Sequence, residues 1–440
     1  MFILIWYSDN TSVQFVDETL EVIEAYDPGI ESPIQAYEQC SISPALASYT
    51  AANDDWNKLM LGQFLDRRWP LKDTTEILLL EHFTHNLSKF FDFCDQSRHF
   101  EIEAPRRARS CQSLLDAIFA VSSRHLCMIK KDFDPYVADF FYQRCLQNLI
   151  PDLDKEESNC NDNLLAATVI LRLLEELNVP LAGSDQYHHS LGTQAFLRSQ
   201  QAEVPSTGLH QAAAWAGIRQ EIYASLTMHR PPAIKATASM MESLSSSDDC
   251  AWANRAVDHC SKALEFCFGK SGADRFCYDA LLQNNVEWCT KRPESYDPLC
   301  FSIPEDSSSC PFWDVRFHAD WHVMGWQYIT LARLTLLIHN PHIQEAVLPR
   351  QSSWVGINDQ ARSALKLLCS IAMSNIATPA AIVVACMGIT ISGNVVEARE
   401  EQRALLDVLT QTEEDHGWPT RALRSNLKDL WATRASSMNC

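Results

Sequence analysis

The sequence predicts an all-α fold, an extended multi-helix array with no significant sheet. Three observations carry this. Apolar residues recur every three to four positions along most of the chain. Glycine fills only 13 of 440 positions, under the usual share of about 7%, so few turns depend on it. No segment alternates at period two for long enough to make a convincing strand. A chain of this length, 46% hydrophobic, can bury one core that runs continuously from end to end.

Met1 to Asn57 contains no Lys or Arg, and acidic residues alternate there with Phe15, Val16, Leu20 and Ile23. Residues 1–57 read as an acidic, weakly ordered arm with one short helix over Val13 to Tyr26, or alternatively as an acidic-hydrophobic segment that docks on a partner. Pro28, Pro33 and Pro44 mark a linker, and the helical body is assigned to 58–440. Glu76 to Cys94 is the first strong amphipathic helix, with Ile77, Leu80, Phe83, Leu87, Phe90 and Phe91 on its inner face. Pro105 is expected to end the next segment. Ser110 or Ser113 can cap a helix whose inner face holds Leu114, Leu115, Ile118 and Val121. Phe133 to Leu149 is bounded by Asp134-Pro135 and Pro151, and Asn163 to Asn178 ends ahead of Pro180. HHSLGTQAFLRSQ reads as one more helix.

Gly208 to Ile234, GLHQAAAWAGIRQEIYASLTMHRPPAI, is the stretch around which the rest is organised. Trp215, Ile218, Ile222 and Leu226 recur at helical spacing, while Ala212, Ala213, Ala214, Ala216 and Gly217 let a neighbouring helix approach closely. Pro231-Pro232 must stop the helix. Arg219 and Tyr223 lie one turn apart, as do Glu221 and Ser225, so hydrogen-bonding groups run beside the apolar face. Arg219, Glu221, Tyr223 and Arg230 are the candidate site residues. Their expected role is structural, with Arg219 and Glu221 bonded to neighbouring helices; contact with a ligand is the alternative. Downstream, a sub-boundary is placed near 235–250. Helices are expected over Ala251 to Phe268, Asp279 to Thr290, Trp313 to His339, Asp359 to Asn375, Pro379 to Ser392, Val396 to Glu413 and Pro419 to Ala435. The Pro- and Ser-rich stretch 291–312 reads as an irregular insertion. PAAIVVACMGITI is apolar all round and should be central.

Composition excludes several function classes. A net charge of −20 repels the phosphate backbone, so direct DNA binding by this chain alone is not expected. The cluster Arg106, Arg107 and Arg109 is a candidate basic patch, for phosphate or nuclear import, whose plainer reading is a solvated basic turn. The 16 cysteines include no Cys-x-x-Cys and read as reduced core thiols. His82/His85, His188/His189 and His318/His322 have the spacing of paired ligands but lack any further signature, so no metal is assigned. Phosphate-binding glycine loops are missing and no cofactor is expected. Asp54-Asp55 and Asp248-Asp249 lack the further acidic partner that a magnesium-diphosphate site needs and read as capping or loop residues. With no identifiable nucleophile or base, the chain is not expected to be an enzyme. No apolar run approaches the roughly 18 residues of a membrane span, so an intracellular, soluble protein is expected.

In LLLEHFTHNLSKFFDFCDQSRHF, PRRARSCQSLLDAIFAVSSRHL, AATVILRLLEELNVPLAGSD and GLHQAAAWAGIRQEIYASLTMHRPP the chain resembles the fungal-specific transcription factor domain family, the ARCA-like helical regulatory region of fungal binuclear zinc-cluster regulators. DWHVMGWQYITLARLTLLIHNP and LLDVLTQTEEDHGWPTRALRSNLKDLW look like later blocks of the same family. The resemblance implies a nuclear transcription regulator that contacts coregulators or self-associates and senses a small-molecule effector. It departs from the family at the start, where Met1 to Asn57 holds one cysteine, Cys40, and no basic residue where a zinc cluster and basic linker usually stand. A helical small-molecule-binding protein or enzyme is the alternative function.

Overall fold

The computed structural model describes residues 7–9, 12–14, 69–130, 133–153, 161–178, 208–245, 248–269, 274–304, 311–344 and 351–438. It is essentially all-α. The chain forms two compact units, Met1–Glu81 and His82–Cys440. The helix expected over HHSLGTQAFLRSQ, the pair His188/His189, Asp54-Asp55 and most of the 1–57 arm lie outside the described residues.

In the first unit, β1 (Tyr7–Asp9) pairs antiparallel with β2 (Ser12–Gln14), Tyr7 standing opposite Gln14. Val13 is therefore in a strand, not at the start of the expected helix. Helix α1 (Thr74–His82) begins where Asp73 Oδ1 accepts the N–H groups of Thr75 and Glu76 at 2.8 and 2.9 Å, while Glu76 Oε2 accepts that of Lys72. Two sets of orphan donors are thus satisfied reciprocally. Ile77, expected inside, is 44% exposed, and Leu79 takes the buried position.

The helix read as continuous over Glu76 to Cys94 contains a π-helical turn, Phe83–Leu87, before the short α2 (Lys89–Asp92). Ser88 N–H donates to the Phe83 carbonyl at 2.9 Å. One extra residue in a turn rotates everything after it by about 100°, which re-aims Phe90, Phe91 and Phe93. Helix α3 (His99–Ala108) is capped by Asp92, whose two oxygens accept from Phe100 and Glu101 N–H. Pro105 lies inside α3 and does not end it; the residue is buried, so packing offsets the one hydrogen bond that proline removes. Helix α4 (Gln112–Ile129) starts after Cys111, with neither Ser110 nor Ser113 capping it. Helix α5 (Pro135–Leu153) runs past Pro151, and α6 (Asp162–Asn178) follows.

Helix α7 (Gly208–Met228) is the hub: it packs against α2, α3 and α6, and further along against α9 (Asp249–Phe268) and α14 (Ala380–Ser392). It ends ahead of the prolines. His229 adopts a left-handed conformation (φ 50°) and Arg230 N–H returns to the Ser225 carbonyl at 3.2 Å, closing the helix end. After the short α8 (Ala238–Glu242) comes α9, whose N-cap is Asp248, the role expected for that aspartate pair. Helix α10 (Arg275–Lys291) leads into the insertion, where Tyr296 is fully buried and its hydroxyl donates to the Asp249 carbonyl at 2.6 Å.

Strands β3 (Cys300–Ser302) and β4 (Asp314–Arg316) form a second antiparallel pair. The helix expected over Trp313 to His339 accordingly starts late, as α11 (Asp320–Ile338). The cause lies across the fold. Helix α13 (Gln351–Ser374), which follows the one-turn α12 (Pro341–Gln344), lends Ser370 and Ser374 hydroxyls to the N–H groups of Trp313 and Val315; Asn375 just beyond it bonds both Phe317 N–H and the Val315 carbonyl. Side chains there do what a further strand would do. Helix α14 is buried along nearly its whole length, as its apolar sequence predicted, between α11, α13 and α15 (Arg399–His416); α16 (Arg421–Met438) closes the chain.

Candidate functional site

A cavity of about 50 Å³ lies against α7 inside the second unit. Faces of α6, α7 and α14 make up much of its wall. Ala216, Arg219, Gln220 and Tyr223 come from α7 at spacings of three or four, Leu173 and Glu176 from α6, and Val383, Val384 and Met387 from α14. The π turn delivers Phe90, Phe91 and Phe93, and Tyr328 of α11, Ala380 of α14 and Trp418 also line the cavity.

Trp418 reaches this place through a glycine. Gly417 takes a left-handed conformation (φ 66°) at the end of α15, its N–H donating to the Glu413 carbonyl, so the chain reverses there. Trp418 is then 2% exposed and its indole N–H donates to the Tyr223 hydroxyl at 3.1 Å.

Among the described residues Arg219 is the one guanidinium on the lining, and it is 5% exposed. Its Nη2 donates to the Phe91 carbonyl at 2.5 Å, and its plane sits 4.4 Å from the Phe93 ring centre, with Tyr328 stacked on that ring at 6.5 Å. Its Nε is buried without a partner, and among the described residues it makes no ion pair. A desolvated cation–π contact stabilises by about 2 kcal/mol, whereas burying an unneutralised ion costs several kcal/mol. The deficit is partly filled by the field of Asp92, whose carboxyl is raised to about 7, chiefly by burial.

Glu176 and Gln220 bring two further unmet groups. Glu176 Oε1 and Gln220 Oε1 are both buried with no hydrogen-bond partner among the described residues, although Gln220 Nε2 donates to the Val169 carbonyl at 3.0 Å. Burial raises the Glu176 carboxyl to about 8 despite the nearby Arg172. The cavity thus offers one fixed cation, a carboxylic acid that is neutral at pH 7, an amide oxygen and aromatic walls. Among the described lining residues none is a nucleophile set beside a base.

Glu221 faces away from this lining and holds the fold. It is fully buried, accepting from Arg172 Nη2 at 2.8 Å, Arg230 Nη1 at 2.5 Å and the Ala233 N–H at 2.8 Å. Burial alone would raise its pKa, but Arg172 and Arg230 outweigh it and keep the carboxyl below its usual range. The candidates therefore separate: Arg219 and Tyr223 line the cavity, whereas Glu221 and Arg230 form the network beneath it.

The basic patch disperses. Arg107 is tied to Glu103 at 2.8 Å and to Asp162 at 2.9 Å, while Arg106 and Arg109 are exposed near the end of α3. His82 Nε2 meets His125 at 2.9 Å while His85 is exposed, and His322 bonds Asp249 at 2.9 Å. No group of three metal-ligating side chains stands together among the described residues. No helix among them is long and apolar enough to cross a membrane.

Sequence reasoning missed Glu176, Gln220, Phe93, Tyr328 and Trp418. Two carboxylates at Glu175-Glu176 inside ILRLLEELN were the available signal, but Arg172 and Glu176 have the spacing of a surface ion pair. Arg172 instead pairs with Glu221, 49 residues away. No family model, no curated protein and no solved structure matches the chain.

Proposed function

We propose that the chain is the helical regulatory module of a transcription regulator of the fungal zinc-cluster kind, acting in the nucleus through coregulators or self-association under the control of a small molecule. The observation that carries the effector part is the cavity, lined by a buried cation of the hub helix that bonds a carbonyl of α2 but has no ion-pair partner among the described residues. Because α7 packs against helices from both halves of the unit, a ligand held there changes contacts throughout the array. The all-α architecture and acidic surface agree with a module that meets proteins, and direct contact with duplex DNA is not part of this reading.

Tethering tests it. The chain fused to an unrelated DNA-binding domain should change a reporter's expression several-fold over that domain alone, and equal expression would remove the regulatory reading. A second reading, a small-molecule-binding protein with no role in transcription, rests on the same cavity; it predicts a silent reporter together with ligand binding.

A further inference from the structure

Arg219 brings a guanidinium cation to this lining, yet it is 5% exposed and makes no ion pair among the described residues. No described carboxylate forms an ion pair with Arg219, and the field of Asp92 supplies only part of the missing negative charge. Asp92 already gives one oxygen to Phe100 N–H at 2.9 Å and the other to Glu101 N–H at 2.7 Å. Glu176 shares the cavity, but its carboxyl, raised to about 8 by burial, is neutral at pH 7. Among the described residues no ion-pair partner stands where there is space for one.

The space limits the ligand. About 50 Å³ accommodates about three to five water-sized groups at ~10–15 Å³ each. Val383, Val384 and Met387 on one side and Phe90 on another give an apolar wall, which favours a carbon group over a hydrated inorganic anion. Gln220 Oε1 lacks a donor among the described residues, which a ligand hydroxyl can provide.

We propose that the cavity binds a small carboxylate between acetate and glycolate in size, its carboxylate on Arg219, its hydroxyl on Gln220 and its carbon end against α14. The Arg219 guanidinium supplies the charge. The biological use of this site rests on the regulatory reading above; its chemistry does not.

Titration calorimetry of the full chain at constant ionic strength provides the test, with sodium acetate, sodium glycolate, sodium nitrate and ethylene glycol as probes. One-site saturation by glycolate is expected, tighter than acetate, with nitrate at least tenfold weaker and no signal from ethylene glycol. Arg219→Lys keeps a charge but loses the planar fork and should bind glycolate at least tenfold more weakly. Val384→Phe leaves Arg219 untouched and fills the space, and should abolish binding. Either variant suffices once circular dichroism shows it folded. The proposal is overturned by no saturation with either carboxylate, by nitrate or ethylene glycol binding as well as glycolate, or by unchanged glycolate affinity in a folded variant. Absent binding beside an active tethered reporter discards the anion site alone, whereas binding beside a silent reporter discards the transcriptional reading alone.

Discussion

Two neighbouring charges on one helix have opposite relations to the fold, and mutation should expose the difference. Glu221 pairs with both Arg172 and Arg230 from a fully buried position. Glu221→Ala leaves those cations unpaired and should cost about 3–5 kcal/mol in chemical denaturation. Arg219 has no carboxylate to abandon among the described residues, so Arg219→Ala gives up a cation–π contact and one carbonyl bond while relieving an unpaired charge. Its stability should change by about 1 kcal/mol or less. Equal losses in the two variants would contradict this division. Sequence spacing placed both residues on a buried helix but could not separate them, because each partner comes from another helix: Phe91 lies 128 positions from Arg219 and Arg172 lies 49 from Glu221.

At the level of elements, two local devices set the cavity wall. The π turn at Phe83–Leu87 rotates the phenylalanines that follow, and Gly417 turns Trp418 inward. A Cβ at Gly417 would impose an unfavourable left-handed conformation and lie 2.9 Å from Met128 Cβ. Gly417→Ala should therefore lose about 1–2 kcal/mol from backbone strain alone, together with the fluorescence environment of the buried Trp418. Thermal unfolding followed by tryptophan emission checks both, and a wild-type melting temperature would remove the role assigned to this glycine. The HGWP sequence carries the glycine openly. The π turn leaves no such mark, because an i to i+5 bond needs no special residue and is chosen by the packing on either side.

Across the whole molecule, buried acids and buried histidines pull stability in opposite directions with pH. Burial raises Glu175 and Glu176 to about 8 and Asp92 to about 7. The folded chain then holds protons that the unfolded chain has released, so these groups lose stability as pH climbs from their ordinary values, near 4, to about 8. Burial lowers His82 and His259 to about 4 and His125 to about 3. Only the unfolded chain takes up those protons below 6.5, so the histidines lose stability as pH falls from there. The two slopes oppose each other at intermediate pH. Melting temperature should accordingly be greatest between about 4.5 and 6.5 and decline from 6.5 to 8, with Glu176→Gln flattening that decline. A melting temperature that rises over 6.5 to 8 would refute the account.

Helical period is a local property, written in every few residues, so the sequence by itself determined the all-α architecture, the central burial of α14 and the mixture of apolar and charged residues on α7. Amphipathic spacing says which side of a helix is buried and not what it is buried against. The choice of Glu221 over Glu176 as the partner of Arg172, the pinning of β4 by Ser370, Ser374 and Asn375, and the cavity itself were decided only by the tertiary structure. Each is a meeting of segments tens to more than a hundred positions apart, and no local pattern encodes which buried polar group such a meeting leaves unpaired.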